Sequence, residues 1–303
     1  MTIQTLTATK VHEPIRRKGM SVFPLSLPVE RPTDAKIADD TLVVSELPTA
    51  TVPQLQVHNP GEVPMLIPAG RVLEGGRQTR TVNVSILVPA GTTITIPVSC
   101  VEAGRWHGGS MFRNSGRNLS RRARIAKERG IYNNIRARGA KNSDQGAVWA
   151  SIADELSMRH LTSDSSLYLE AERHVENDRD MAALVQELID GGVKDGQTGI
   201  AVAYGDKVVG IELFTSTADL AASWEALVRT AVLDADTSRT DSDASATVAD
   251  VEAFLARVAA YPATTTDGTG LGTEFHVAEA DLVAHALTDE AGNLVHAYAF
   301  VDA

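Results

Sequence analysis

Residues able to do chemistry gather in one stretch, PVSCVEAGRWHGG (97–109). Cys100 offers a thiol, which becomes a nucleophile when a nearby cation or histidine lowers its pKa, and His107 and the arginines that follow would act in that direction. Glu102 offers a carboxylate of the kind that serves as a general base. Arg105 presents a planar fork of donors suited to carboxylate or phosphate, and Trp106 an indole that can stack on a base or sugar. His107 precedes Gly108-Gly109, a pattern for a loop that closes over a ligand. Each residue also has a structural reading: Cys100 as a small core residue ending an apolar strand, Glu102 and Arg105 as a local ion pair, Trp106 as a cap on the core.

A second such stretch is EGGRQTRTVN (74–83). If 78–84 is a strand, Gln78, Arg80 and Val82 share one face and Thr79, Thr81 and Asn83 the other. Gln78 and Arg80 could then hold a carboxylate or phosphate beside Glu74, with Gly75-Gly76 letting the backbone approach closely. The alternative is a hairpin turn and a solvated strand face. Gln145 and Trp149, four apart on a predicted helix, could close a polar pocket against strand ends. The eight histidines show neither HxxxH nor HxH spacing, so no metal site is predicted, and GTGLG (268–272) has the wrong spacing for a nucleotide loop. No cofactor is named by any motif.

From Arg105 to Lys141 the chain carries eleven of its 28 Lys/Arg and only one of its 39 Asp/Glu, Glu128. Such segregation points to a phosphate-bearing ligand, an acidic partner, or docking of the segment on the protein's own acidic body. With a net charge of −11, few interleaved aromatics and no nucleic-acid module, nucleic acid is an improbable partner. The single cysteine excludes an internal disulfide and a cysteine-based zinc site. No run reaches the roughly 18–20 apolar residues that span a bilayer, and the N-terminus lacks a signal-peptide core, so a cytoplasmic protein without a membrane partner is expected.

The elements that must position these residues divide in two. The first hundred residues read as β, with short β-branched runs at 21–29, 41–47, 54–59, 63–69, 81–90 and 92–101. Pro-Ala-Gly recurs at 68–70 and 89–91, suggesting a repeated strand–turn–strand unit. From about 117 to 190 the pattern is helical. Gly116, Gly130 and Gly139 are expected to break any long helix in the basic segment, Ser143 to cap a helix whose apolar positions are Val148, Trp149, Ile152 and Leu156, and Asp178 to open another. A hairpin turning at Gly205-Asp206, a helix capped by Thr217, a polar loop over 234–247, a helix over 248–259 and two or three strands over 273–301 complete the reading. The fold class is therefore α+β: an N-terminal β-sandwich or barrel-like sheet, then helices and a second antiparallel β/α portion. One composite body over 1–303 is favoured over a subdivision at 103/104.

The stretches PAGRVLEGGRQTRTVNVSILVPA (68–90), IPVSCVEAGRW (96–106), Phe112 and DQGAVW (144–149) resemble a bacterial domain family named for its association with ADP-ribosylglycohydrolase and rhodanese-phosphatase proteins. The similarity extends weakly through 198–232. By association, it implies metabolism of ADP-ribose or a related NAD-derived nucleotide, and it carries over no catalytic residue. The expected function is binding or processing of a phosphorylated small ligand, with Arg80 and Arg105 on phosphate, Trp106 stacking, Glu74, Gln78 and Gln145 lining the pocket, and Glu102 or Cys100 acting if there is catalysis. The competing reading is a non-enzymatic module whose basic segment docks an acidic protein or nucleic acid.

Overall fold

The Val-, Ile- and Thr-rich runs form strands, because β-branched side chains already favour the rotamers a pleated surface needs. The computed structural model describes residues 4–28, 35–163, 167–237 and 244–302. A one-turn helix α1 (Gln4–Thr7) precedes strands β1 (Lys10–Val11), β2 (Ile15–Arg17), β3 (Met20–Ser26), β4 (Lys36–Ile37), β5 (Val43–Ser45), β6 (Gln54–His58), β7 (Met65–Ile67), β8 (Arg71–Gly75), β9 (Arg80–Val82), β10 (Ile86–Val88), β11 (Thr93–Cys100) and β12 (Met111–Asn118). Helices α2 (Arg121–Arg138), α3 (Gln145–Met158), α4 (Leu169–Asn177) and α5 (Arg179–Gly191) follow. Then come the hairpin β13 (Gly199–Tyr204) and β14 (Lys207–Phe214), helices α6 (Thr217–Thr237) and α7 (Val248–Ala260), and strands β15 (Thr264–Asp267), β16 (Thr273–Ala278), β17 (Leu282–Thr288) and β18 (Leu294–Val301). The protein is α+β.

Six strands close into a barrel in the order β11-β6-β5-β12-β8-β9. A three-stranded sheet, β10-β7-β4, lies beside it, and the remaining strands form one large sheet running β1-β3-β13-β14-β18-β17-β16-β15, with β2 on β3. Both Pro-Ala-Gly turns do the same job. Gly70 and Gly91 take φ of +86° and +63°, and each turn carries the chain from the small sheet (β7, β10) into the barrel (β8, β11). The N-terminal strands behave unexpectedly: β1 to β3 leave the barrel region and join the large sheet through β3 and β13.

Helix α2 is the wedge between barrel and large sheet. Ile131 and Ile135 pack into the barrel core, while Ile125 packs with Val283, Tyr298 and Phe300 of the sheet. It runs unbroken for 18 residues through Gly130, contrary to the expectation that this glycine would interrupt it. A glycine inside a helix costs about 1 kcal/mol relative to alanine, and here it admits the chain at Asp144: a Cβ on Gly130 would lie 2.3 Å from the Asp144 nitrogen. Gly139 does end the helix, in the left-handed conformation.

Three smaller expectations shift. Asp144, not Ser143, caps α3, its carboxylate accepting from the Ala147 N–H. Ser216, not Thr217, caps α6, accepting from the Asp219 N–H at 3.2 Å. Helix α6 also continues to Thr237, into the segment expected to be a loop, of which 238–243 lie outside the described residues. The GTGLG segment serves packing: Leu271 bridges to Leu87 of β10, and a Cβ on Gly270 would lie 2.1 Å from the Leu87 oxygen.

Candidate functional site

Alternation along the strands decides what points into the barrel. Val82 and Val98 belong to the barrel core and face each other across the β9–β11 ladder. The next facing pair on that side is Arg80 and Cys100, so both enter the barrel near its end. Glu46 follows the inward Val44 by the same rule and is likewise buried. Gln78 ties the group together. Its Oε1 accepts from Cys100 Sγ at 3.1 Å and from Arg80 Nη1 at 3.2 Å, its carbonyl accepts from the same Nη1 at 3.1 Å, and its Nε2 donates to the Glu102 carbonyl at 3.1 Å.

The loop from Val101 to Gly109 folds over this barrel end, fastened by Arg105. Arg105 Nε donates to Glu102 Oε1 at 2.9 Å and Nη2 reaches Glu102 Oε2 at 2.8 Å. Nη1 donates to the carbonyls of Gly76 and His107, and Nη2 also to that of Gly75. All five guanidinium donors are thereby engaged with the protein. The Gly75-Gly76 turn lets the loop come this close, with φ of +123° and +50°. A Cβ on Gly75 would lie 2.6 Å from the Met111 oxygen, and one on Gly76 only 2.0 Å from the Phe112 ring. Trp106, 41% exposed, roofs the end with the guanidinium carbons of Arg77 and Arg80 each 5.6 Å from its ring centre.

The electrostatics separate the residues by role. Burial pushes the Cys100 thiol up to about 11, outweighing the Arg80 charge beside it, so the thiol stays protonated near neutral pH. Burial also works against the charge on Glu102, but hydrogen bonds from Arg105 and from the Thr79 N–H hold its carboxyl below the usual range. An ionised, fully bonded carboxylate is a weak proton acceptor. Arg80 differs from its neighbours. It is wholly buried, yet its Nε and Nη2 meet no acceptor among the described residues, and the buried Glu46 Oε2 likewise meets no donor. Desolvation pulls the Arg80 pKa down, but a guanidinium remains charged in a protein.

Two of the singled-out residues lie elsewhere. Glu74 points out of the barrel and pairs with Arg113 at 2.6 Å. Gln145 acts on the far side of β11, where its amide accepts from the Cys100 N–H and donates to the Cys100 carbonyl, both at 2.8 Å. It thus replaces a strand partner at the point where β6 has ended. The barrel end therefore gathers Gln78, Arg80, Cys100, Glu102, Arg105 and Trp106, and adds Glu46, which sequence reasoning missed; its inward position follows Val44 by strand alternation once β5 is placed.

The basic segment is spent largely on the protein itself. Arg117 pairs with Glu172 and Glu176, Arg129 with Asp302 and Lys141 with Glu274. Arg121 bonds the Val301 carbonyl and the buried Lys127 bonds the Asn83 carbonyl. Arg124 is buried with two bonds to Glu212, at 2.7 and 3.1 Å, and lies over the rings of Tyr298 and Phe300. Arg122, Arg129 and Arg138, with Gln145, line an open cleft of about 810 Å³ between α2 and α3.

Beneath α2 lies a second polar cluster, also missed. His276 sits between Glu128, at 2.8 Å, and Glu274, at 3.2 Å; Tyr298 donates to Glu128 at 2.7 Å; His296 contacts Glu212 at 3.1 Å and Ser85 at 2.7 Å. Its trace in the sequence is the set of polar residues within three strands, Glu274 and His276 in β16, His285 in β17, and His296 and Tyr298 in β18. Glu128, His276 and His285 bring possible metal-ligand atoms within 4.8 Å of one another. Their protons argue for an ion-pair network: His276 gives a nitrogen to each of two carboxylates, and His285 Nε2 accepts from the Ser85 N–H at 3.0 Å, which keeps the proton on Nδ1. No helix among the described residues is long and apolar enough to cross a membrane.

Residues 8–300 match the family described as ARPP-1, the ARG and Rhodanese-Phosphatase-superfamily-associated Protein domain. No curated protein and no solved structure matches the chain.

Proposed function

We propose, on the premise that this chain belongs to the ARG and Rhodanese-Phosphatase-superfamily-associated family, that it binds a phosphate-bearing small ligand of the ADP-ribose and NAD-derived class at the Trp106-covered end of its barrel. The observation that carries the reading is Arg80, a fully buried guanidinium with two nitrogens that meet no acceptor among the described residues. A buried cation without hydrogen-bonded compensation is costly, and an incoming phosphate or pyrophosphate oxygen would accept from Nε and Nη2 as a fork. Trp106 must lift for entry and would then stack on the ligand, while Glu46 Oε2 would accept from a ribose hydroxyl. Glu102 and Arg105 position the covering loop, Gln78 orients Arg80, and Gln145 fixes β11 behind Cys100. With Cys100 protonated and Glu102 fully bonded, the geometry favours binding over acyl or glycosyl transfer through either group.

Calorimetric titration of ADP-ribose and NAD into the full chain tests this, with Trp106→Phe to identify the indole whose fluorescence changes. Arg80→Met is expected to weaken binding at least tenfold, about 1.4 kcal/mol. Absence of binding near ~1 mM ligand, or undiminished affinity in folded Arg80→Met, would count against the barrel end. The cleft between α2 and α3 is the second reading, favoured by its nucleotide-sized volume. Loss of binding in Arg122→Ala/Arg138→Ala with Arg80→Met unaffected would move the site there.

A further inference from the structure

The barrel has a second opening with chemistry of its own. Strands β5 and β12 pair only at Val44 with Phe112 and Ser45 with Met111. Beyond Phe112 they part, and a cavity of about 290 Å³ opens between them. Leu42, Val44, Ile67, Leu73 and Phe112 give it an apolar side, and it is also lined by Arg71 and Asn114. Arg71 is 4% exposed, its guanidinium makes no hydrogen bond to any described residue, and its Nη2 is fully buried without an acceptor.

The surroundings leave that charge uncompensated. Glu212 attracts Arg71, but the Glu212 oxygens are taken by Arg124 and His296. Two buried guanidiniums therefore share one carboxylate. Burial lowers the Arg71 pKa to about 10, which still leaves it charged near neutral pH. Arg71 and Leu73 are successive residues on one side of β8, and Leu73 faces Arg80 in the neighbouring strand, so the two unsatisfied arginines sit at different depths of one barrel.

The geometry points to this cavity as a binding site for a small organic carboxylate, a monoanion with an apolar body whose carboxylate is seated on Arg71. A single free guanidinium in a planar fork matches one carboxylate. The apolar side asks for an apolar body of matching size. The rim disfavours polyanions: Lys36 is paired with Asp39 at 2.7 Å, and Asp40 beside them adds a further carboxylate. The other rim cation, Arg113, is already paired with Glu74. This site requires neither the ligand nor the residues proposed for the Trp106 end.

The test is titration of sodium benzoate into the full chain, followed by calorimetry and by ¹⁹F NMR of 4-fluorobenzoate, with inorganic phosphate and ADP-ribose as comparison ligands. Saturable benzoate binding is expected, at least tenfold weaker in Arg71→Met, unchanged in Arg80→Met and not displaced by equimolar phosphate or ADP-ribose. Should Arg71→Met fail to fold, Leu42→Trp, at a half-buried wall position, is expected to block binding with Arg71 intact. No saturable binding of benzoate or butyrate up to ~10 mM, full binding in folded Arg71→Met or Leu42→Trp, or displacement by ADP-ribose each overturns the assignment. Because Arg80→Met separates the two ends, failure here leaves the nucleotide reading standing, and the reverse holds too.

Discussion

Replacing His276 by glutamine tests the buried network through the pH at which the cost is paid. Burial opposes a charge on this ring, but hydrogen bonds to Glu128 and Glu274 prevail and raise its pKa from 6.5 to about 9. A folded pKa above the unfolded one gives stability that is fully present below pH 6.5 and is lost as pH rises through 9. At about 1.4 kcal/mol per decade, the imidazolium contributes roughly 3 kcal/mol at pH 6 and little by pH 9. Lys127 opposes this in the wild-type curve. Desolvation lowers its pKa from 10.5 to about 7, so its share of stability rises with pH over that interval. The wild-type profile alone is therefore uninformative, and the difference between the two proteins isolates His276. Urea unfolding at pH 6, 7.5 and 9 should show His276→Gln costing about 3 kcal/mol more at pH 6 than at pH 9. A cost equal at both ends to within about 0.5 kcal/mol would refute the ion-pair account and leave His276 neutral in the folded chain.

The Gly75-Gly76 turn and Cys100 give two further expectations. Gly76→Ala, with its Cβ directed into the Phe112 ring at positive φ, should cost about 3 kcal/mol or more, whereas Gly91→Ala, equally left-handed but with nothing within 4 Å, should cost about 1 kcal/mol; equal midpoint shifts in urea would show that crowding at the barrel end is unimportant. A Cys100 thiol at about 11 should react with a disulfide reagent at pH 8 at least ~100-fold more slowly in the native protein than in the urea-unfolded chain, and a native rate near the unfolded one would mean that the Trp106 loop leaves the barrel end open.

The elements were more legible than their pairing. Runs such as TTITIP and the hairpin at Gly205-Asp206 announce themselves through local rules, and the α5 cap at Asp178 does likewise. The departure of β3 to pair with β13 depends on residues some 170 positions away and has no local signal. Gly130 misled because its use is tertiary, admitting Asp144 against the helix. At the candidate site, the i, i+2 spacing of Gln78 and Arg80 and the i, i+3 spacing of Glu102 and Arg105 are legible as neighbours, although β9 itself begins only at Arg80. What could not be read was the environment. Arg71, Arg80 and Arg124 are the same residue in composition, yet only Arg124 finds a full carboxylate partner. Nor could the basic segment's destination be read, because the carboxylates that receive it are spread along the chain from Glu74 to Asp302.

The route of β3 also sets an order of assembly. All six barrel strands lie between Val43 and Asn118, so the barrel can close soon after that stretch leaves a ribosome. The large sheet cannot, since β3 ends at Ser26 and its partner β13 starts at Gly199. At about 5–20 residues per second, β3 waits on the order of 10–30 s for β13 to be made. During that time β3 has only β1 and β2 along one edge, and Phe23 and Leu25, fully buried in the finished protein, lack the rest of the large sheet. Synthesis of this chain therefore contains an interval in which a closed barrel is preceded by an apolar strand with one edge still open, the stage at which a holdase chaperone would bind and at which slowed translation would favour aggregation.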